Sequence, residues 1–191
     1  MKRPISWATT RRTLLWALTT TSLAASLVVD VPGASAAPAT VVLSGDAVSG
    51  VRLGEPQGRA LTRLDQLLGR PTGRLATTAV LENCGVDATA SWRSLSAYFD
   101  HERLVGVALG PGSRPRGETA QGLRPGDTLA RARTIYGRRL TTSTAQGGVW
   151  MVRTSTGRLD GFLLPNGPRP TARSRILTID VGVVGCPALS P

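Results

Sequence analysis

The feature that most constrains the fold of this chain is a short sequence pattern that occurs twice. It reads Gly-[Val/Leu]-Arg-x-Gly followed by an acidic residue, and it lies at residues 50–55 and again at 122–127. Apolar residues at helical spacing follow in each copy, within GVRLGEPQGRALTRLDQLLGRP and GLRPGDTLARARTIYG. A single turn-and-helix unit of this size cannot bury its own apolar stripe. The two copies are therefore predicted to pack together in one fold.

Residues with special backbone preferences begin and end each predicted helix. Pro56 suits the first turn of the first helix, and Asp127 or Thr128 is suited to cap the second. A glycine follows the last apolar residue in both copies, where helices commonly end. The residues assigned to this structural repeat motif are Gly50, Gly54, Gly69, Gly122, Gly126, Asp127 and Gly137.

Antiparallel strands are predicted after each helix, because apolar and polar residues alternate there and short turns separate the runs. Turns are expected at 100–103 and 154–157. The predicted strands are 94–99, 104–109, 149–152, 159–163 and 176–181.

The order of helix followed by meander is typical of an α+β fold, not of a parallel sheet. We predict one domain at 50–187, built from two tandem helix-plus-meander repeats at 50–110 and 121–187. The repeats are expected to form one sheet with the helices on one face. Residues 37–49, rich in Ala, Pro, Ser and Val, are predicted to be an extended N-terminal segment.

The first 36 residues have the composition of an export signal. Basic residues are followed by an uncharged run at 14–29 and then by Ala34-Ser35-Ala36. This run of 16 residues is shorter than the roughly 20 that a membrane-spanning helix needs. We predict a signal peptide cleaved after Ala36 or Ala37, with an uncleaved anchor as the alternative.

The predicted destination is secretion or association with the cell envelope, without stable membrane insertion after cleavage. TRRTLL at residues 10–15 resembles a twin-arginine signal, and an ordinary secretory signal fits equally well.

Cys84 and Cys186 are the two cysteines of the chain. An exported protein enters an oxidising compartment, so the two are predicted to form a disulfide. That bond would link the first half of the domain to its end. Metal ligation or nucleophilic chemistry would need partners that the surrounding sequence does not supply.

The net charge of +11 favours anionic partners, such as an acidic cell-wall polymer. Lys2 is the only lysine, and no run holds more than two arginines. Positive charge that is dispersed in this way is also typical of a soluble protein without a specific ligand. Nucleic-acid binding is not favoured, since it would need basic residues interleaved with aromatic ones on one face.

No catalytic, metal or cofactor site is predicted. His101 is the only histidine and lies between Asp100 and Glu102 in a predicted turn. Adjacent turn residues point apart, whereas a metal needs converging ligands. The chain also lacks a Gly-x-Ser-x-Gly motif and a phosphate-binding loop. It is therefore not predicted to be an enzyme, although a hydrolase of unrecognised type is kept as an alternative.

The units GDTLARARTIYG and the first-copy ending LLGRP resemble the tandem repeat of the β-lactamase inhibitor protein family. They are also similar to the BamE family and to many exported actinobacterial proteins. The resemblance implies that each repeat packs a helical segment on an antiparallel sheet. It further implies one continuous concave sheet that binds another protein.

The leading functional hypothesis is accordingly a non-catalytic, protein-binding or enzyme-inhibitor-like module with an extracellular protein as its partner. The alternative is a structural wall-associated protein held by arginine to an anionic polymer. Aromatic and arginine side chains carry much of the energy of protein interfaces, although a tryptophan in a small sheet domain is more often in the core. The residues predicted to share a binding surface are Trp92, Arg93, Tyr98, Trp150 and Arg153.

Overall fold

A computed structural model describes residues 40–76, 85–112, 116–164, 167 and 169–184. The described chain is a mostly β, α+β fold with two sheets and two α-helices. The predicted signal peptide, its cleavage site at Ala36 or Ala37, and both Cys84 and Cys186 lie outside the described residues.

The helices are α1 (Gln57–Leu68) and α2 (Leu129–Tyr136), and short 3-10 helices lie at Gly137–Arg139 and Ala145–Gly147. The strands are β1 (Val41–Ser44), β2 (Ala47–Val48), β3 (Val51–Arg52), β4 (Gly73–Ala76), β5 (Ala88–Trp92), β6 (Leu95–Asp100), β7 (Arg103–Leu109), β8 (Gly117–Thr119), β9 (Leu140–Ser143), β10 (Val149–Arg153), β11 (Arg158–Leu164), β12 (Arg175–Ile176) and β13 (Ile179–Gly182).

The larger sheet is antiparallel and has the strand order β4-β5-β6-β7-β13-β11-β10-β9, with β12 paired to β11. The β6–β7 and β10–β11 hairpins that the sequence predicted are confirmed. Strands from before residue 110 lie on one side of the β7–β13 pairing, and strands from after residue 139 lie on the other. The chain therefore joins its two halves in the middle of one sheet.

The prediction of a single sheet is wrong, because a second, smaller sheet is present. It has the order β3-β2-β1-β8, and β1 runs parallel to β8. It contains part of the segment that was predicted to be extended. Val41, Leu43 and Val48 are buried there and belong to the main hydrophobic cluster. The chain from residue 41 onward therefore contributes to the core.

The strand predicted at 176–181 is interrupted, which corrects the sequence interpretation. Leu177 and Thr178 both donate their backbone N–H groups to the carbonyl oxygen of Phe162, at 2.8 and 3.4 Å. Two residues thus oppose one, as in a β-bulge. Strand β12 ends before this point, and β13 then pairs with both β11 and β7.

One hydrophobic cluster contains buried side chains from both helices and both sheets. Helix α1 contributes Ala60 and Leu64, and helix α2 contributes Leu129, Ala132 and Tyr136. Thr128 caps α2, because its side chain accepts a hydrogen bond from the backbone N–H of Arg131. The predicted choice between Asp127 and Thr128 as the cap is thereby settled in favour of Thr128.

The two copies of the glycine pattern have closely similar backbone geometry. The φ angles of Gly54 and Gly126 are 84° and 92°, in the left-handed region that favours glycine. Arg52 N–H donates to Glu55 Oε1 at 2.9 Å, and Arg124 N–H donates to Asp127 Oδ2 at the same distance. The acidic residue that ends the pattern, Glu55 or Asp127, therefore closes the turn in both copies.

Each glycine turn is also held by the strand that follows in its own half. Arg103 Nη1 donates to the carbonyl oxygen of Gly54 at 2.8 Å, and Arg175 Nη1 donates to that of Gly126 at 2.8 Å. The backbone N–H of Gly54 donates to Leu104 O, as that of Gly126 donates to Ile176 O, both at 2.7 Å. Every pair of matching residues is separated by 72 positions in the sequence.

Candidate binding surface on the large sheet

Alternation along β6 defines the two faces of the large sheet. Leu95, Ala97 and Phe99 are buried in the core, whereas Ser96 and Tyr98 are half-buried on the opposite side. We call this opposite side the polar face. One row of residues crosses the polar face, and each residue in it pairs with the next on the neighbouring strand. The row consists of Ser91, Ser96, Ala108, Asp180, Asp160, Met151 and Thr141.

The two tryptophans are not on the polar face, which corrects the predicted aromatic surface. Trp92 is 2% exposed and Trp150 is 0% exposed. The indole N–H of Trp92 donates to the carbonyl oxygen of Gly69 at 2.8 Å, and that of Trp150 donates to Thr178 O at 3.1 Å. Because a backbone carbonyl accepts a hydrogen bond from each ring N–H group, both side chains can be buried, and both belong to the hydrophobic core.

The other three residues of the predicted surface are at least partly accessible. Tyr98 is half-buried on the polar face and pairs across the sheet with Gly106. Arg153 is exposed at the end of β10 and lies opposite Arg158. Arg93 is exposed in the β5–β6 turn with a φ angle of 57°. Tyr98 and Arg153 therefore share a face, while Arg93 lies in a turn at its border.

Two carboxylates that the sequence interpretation did not single out lie at the centre of the polar face. Asp160 on β11 and Asp180 on β13 are direct cross-strand partners, 7% and 5% exposed. Asp160 Oδ2 lies 2.7 Å from Arg158 Nη2. Asp180 Oδ2 accepts a hydrogen bond from Thr178 Oγ1 at 3.1 Å, and Asp180 Oδ1 has no partner in the part of the chain that the structure describes.

Burial controls the protonation of this pair. It raises the pKa of Asp180 to about 8, and the nearby charge of Asp160 acts in the same direction. Burial also raises the pKa of Asp160, against the opposing influence of Arg158. Burial and the charge of Asp180 raise the pKa of Tyr98. The favoured state at neutral pH is therefore a protonated Asp180, whose O–H can donate a hydrogen bond.

A signal for these two acids exists in the sequence, although it is weak. Each is the single acid of a mostly apolar stretch, in RLDGFLL and ILTIDVG. A buried strand seldom carries a carboxylate without a specific environment for it. Their proximity, however, depends on the long-range register between β11 and β13.

The polar face ends in an open groove of about 410 Å³, lined by Arg139, Thr141, Met151 and Arg153. We call it the basic groove. Strand β9 contributes Thr141 to this groove and is the last strand of the sheet. Within the described ranges, neither Arg139 nor Arg153 has an ion-pair partner, so both positive charges face solvent.

His101 lies in the β6–β7 turn that the sequence predicted. Its Nδ1 is 2.8 Å from Asp100 Oδ2, and that hydrogen bond raises the pKa of His101. Its side chain is 91% exposed. Among the residues that the structure covers, no three His, Cys, Asp or Glu side chains are grouped so as to hold a metal ion.

Comparisons with protein-family models, with curated proteins and with solved structures find no match to this chain. The resemblance to the β-lactamase inhibitor and BamE families therefore stays a prediction.

No helix in the described ranges combines the length and the apolar character needed to cross a membrane.

Proposed function

We propose that the protein is an exported, non-catalytic module that binds another protein on the polar face of its large sheet. The observation that carries this proposal is the continuous row of residues across seven strands, which is half-buried or exposed on either side of the buried Asp160 and Asp180. Half-buried Tyr98 and exposed Arg153 lie on the same face. A broad, rigid sheet surface with a few aromatic and arginine anchors is well suited to a protein partner.

We further propose that the domain consists of two tandem repeats, at 50–110 and 121–187, with their helices on the core side of the sheet. The hydrogen bonds that recur 72 residues apart support this view. So does the strand order, in which the two halves meet at β7 and β13. Such an arrangement would double the sheet area that a single repeat could offer a partner.

Capture of a partner by paired variants tests the binding proposal. The mature protein would be immobilised and exposed to the secreted and wall-bound proteins of the producing organism. Ser96→Arg places a bulky charge on the polar face, in β6, where Ser96 is half-buried. Thr134→Arg makes the same change on the exposed side of α2 and serves as the control.

We expect a partner that wild type and Thr134→Arg retain and that Ser96→Arg loses, with circular dichroism verifying that all three are folded. Equal recovery of the partner by both variants would exclude the polar face as its binding surface. Cross-links from the partner to Arg153 or Tyr98 would map the interface directly.

A wall-associated structural role is the second candidate. It is favoured by exposed arginines that form no ion pair with the residues the structure describes, such as Arg70, Arg133 and Arg173. These positions are widely separated in the sequence. A polymer held by dispersed charge should release the protein when salt shortens the screening length from about 10 Å at 0.1 M to about 3 Å at 1 M. Cosedimentation with purified cell walls at these two ionic strengths separates this role from protein binding.

A further inference from the structure

Strand β9 presents an edge that nothing in the described chain pairs with. It forms its ladder with β10, from Leu140↔Val152 to Ser143↔Val149, and the sheet order ends there. Its residues from Thr141 to Ser143 are exposed. An unpaired edge offers backbone N–H and C=O groups to an incoming strand.

The positive charge beside this edge favours an incoming strand with acidic side chains. Arg139 lies directly before β9 and Arg153 ends β10, and both line the basic groove with Thr141 and Met151 between them. The two arginines have no ion-pair partner among the described residues. A strand added at β9 would therefore place every second side chain near uncompensated positive charge.

Resting on the proposed protein-binding function, we propose that β9 and the basic groove bind an extended acidic segment of the partner protein. The segment adds as a strand beside β9, and its alternate acidic side chains lie over the groove near Arg139 and Arg153. The residues between them face the opposite side of the sheet. Backbone pairing supplies affinity, and the groove selects acidic side chains.

Charge argues against a second copy of this chain as the occupant. Pairing β9 with β9 of another molecule would bring the arginines of both copies together, in a protein whose net charge is already +11 over the full chain. Like charges brought together in this way oppose association. The occupant is thus expected to be a different, acidic chain.

Fluorescence anisotropy with defined peptides tests the inference on the full mature protein. The probe is a labelled peptide of alternating glutamate and valine, compared with a lysine–valine peptide of equal length. A third peptide has the glutamate–valine sequence with N-methyl groups on alternate amides, which keeps the charge but removes backbone donors. The double variant Arg139→Glu/Arg153→Glu is compared with Arg70→Glu/Arg133→Glu, which makes the same charge change at exposed positions elsewhere.

We expect wild type and Arg70→Glu/Arg133→Glu to bind the glutamate–valine peptide with the same affinity. Arg139→Glu/Arg153→Glu should bind it at least about tenfold more weakly, because close charge pairs are lost and repulsion is added. The N-methylated and lysine–valine peptides should also bind weakly.

Four results would overturn the inference. Equal binding of the N-methylated peptide, or of inorganic polyphosphate at the same residues, would indicate a general polyanion site. A dimer in sedimentation experiments that Arg139→Glu/Arg153→Glu dissociates would identify a second copy as the occupant. Absence of peptide binding would exclude the acidic strand, while capture of a partner that Ser96→Arg abolishes would still support the proposed function.

Discussion

At the scale of single residues, Asp180 carries the clearest electrostatic cost in the fold. Its carboxyl group is buried beside Asp160, and one of its oxygens has no hydrogen-bond partner among the described residues. A buried charge is unfavourable without compensation, so the group binds a proton instead. The pKa of Asp180 is about 8 in the folded chain, against an ordinary value of 3.8.

This shift predicts that the contribution of Asp180 to the stability of the fold decreases as the pH rises. Below about pH 4, Asp180 is protonated in both the folded and the unfolded chain. Between pH 4 and 8 the unfolded chain releases this proton while the folded chain keeps it, so the free energy of unfolding falls by up to about 1.4 kcal/mol per pH unit. Above pH 8 the contribution of Asp180 levels off.

Asp180→Asn should remove this dependence, because an amide stays neutral and its oxygen can still accept the hydrogen bond from Thr178 Oγ1. Urea denaturation at pH 5, 7 and 8.5 would measure it. We expect the variant to gain stability relative to wild type as the pH rises. Glu102→Gln, at an exposed turn position, is the control and should follow wild type. Parallel pH profiles for wild type and Asp180→Asn would contradict the assignment.

At the scale of structural elements, the two arginines that hold the glycine turns invite a paired test. Arg103→Ala and Arg175→Ala each remove a hydrogen bond of 2.8 Å from a charged donor to a glycine carbonyl. Both arginines are exposed, so water compensates part of the loss. We expect each substitution to lower the free energy of unfolding by about 1 kcal/mol.

The tandem-repeat proposal adds that the two losses should be similar, because the turns are held in the same way. Chemical denaturation measures both, and Arg173→Ala, at an exposed turn position, supplies the control. A large loss for one variant with none for the other would argue against equivalent roles for the two turns.

The hairpins could be predicted from sequence because they depend on local signals. The alternation around Phe99 and the turn residues between β10 and β11 lie close together in the chain. The orientation of Trp150 could not be predicted, since VWMV is apolar at every position and either face is compatible with it. Only the pairing of β10 with its neighbours decides which side chains enter the core.

The two aspartates at the centre of the candidate surface could not be predicted from the sequence, for a related reason. Asp160 and Asp180 are brought together by the β11–β13 register, which follows the bulge at Leu177 and Thr178. A bulge of one residue reverses which side chains face the core. Sequence alternation read through residues 176–181 without that bulge places Ile176 on the same face as Asp180, whereas Ile176 is buried in the core with Ile179 and Val181.

At the scale of the whole molecule, two pairings join distant parts of the chain. Strands β7 and β13 join the two halves of the larger sheet, and β1 pairs with β8 in the smaller sheet. Both contacts are long-range, so the unfolded chain must lose considerable loop entropy to form them. A covalent link between distant parts of the chain would reduce that cost. The predicted Cys84–Cys186 disulfide is such a link, although both residues lie outside the described ranges.

The disulfide should therefore stabilise the exported protein mainly by restricting its unfolded state. A closed loop of about 100 residues corresponds to at most about 4.7 kcal/mol, less any strain in the folded chain. We expect the intact mature protein to be lighter by two hydrogens before reduction and to resist alkylation until reductant is added. Its urea midpoint should fall on reduction, whereas a Cys84→Ser/Cys186→Ser variant should not respond to reductant. Two thiols that react without reductant would show that the bond is absent, and the long-range pairings of β7 and β1 would then hold without covalent help.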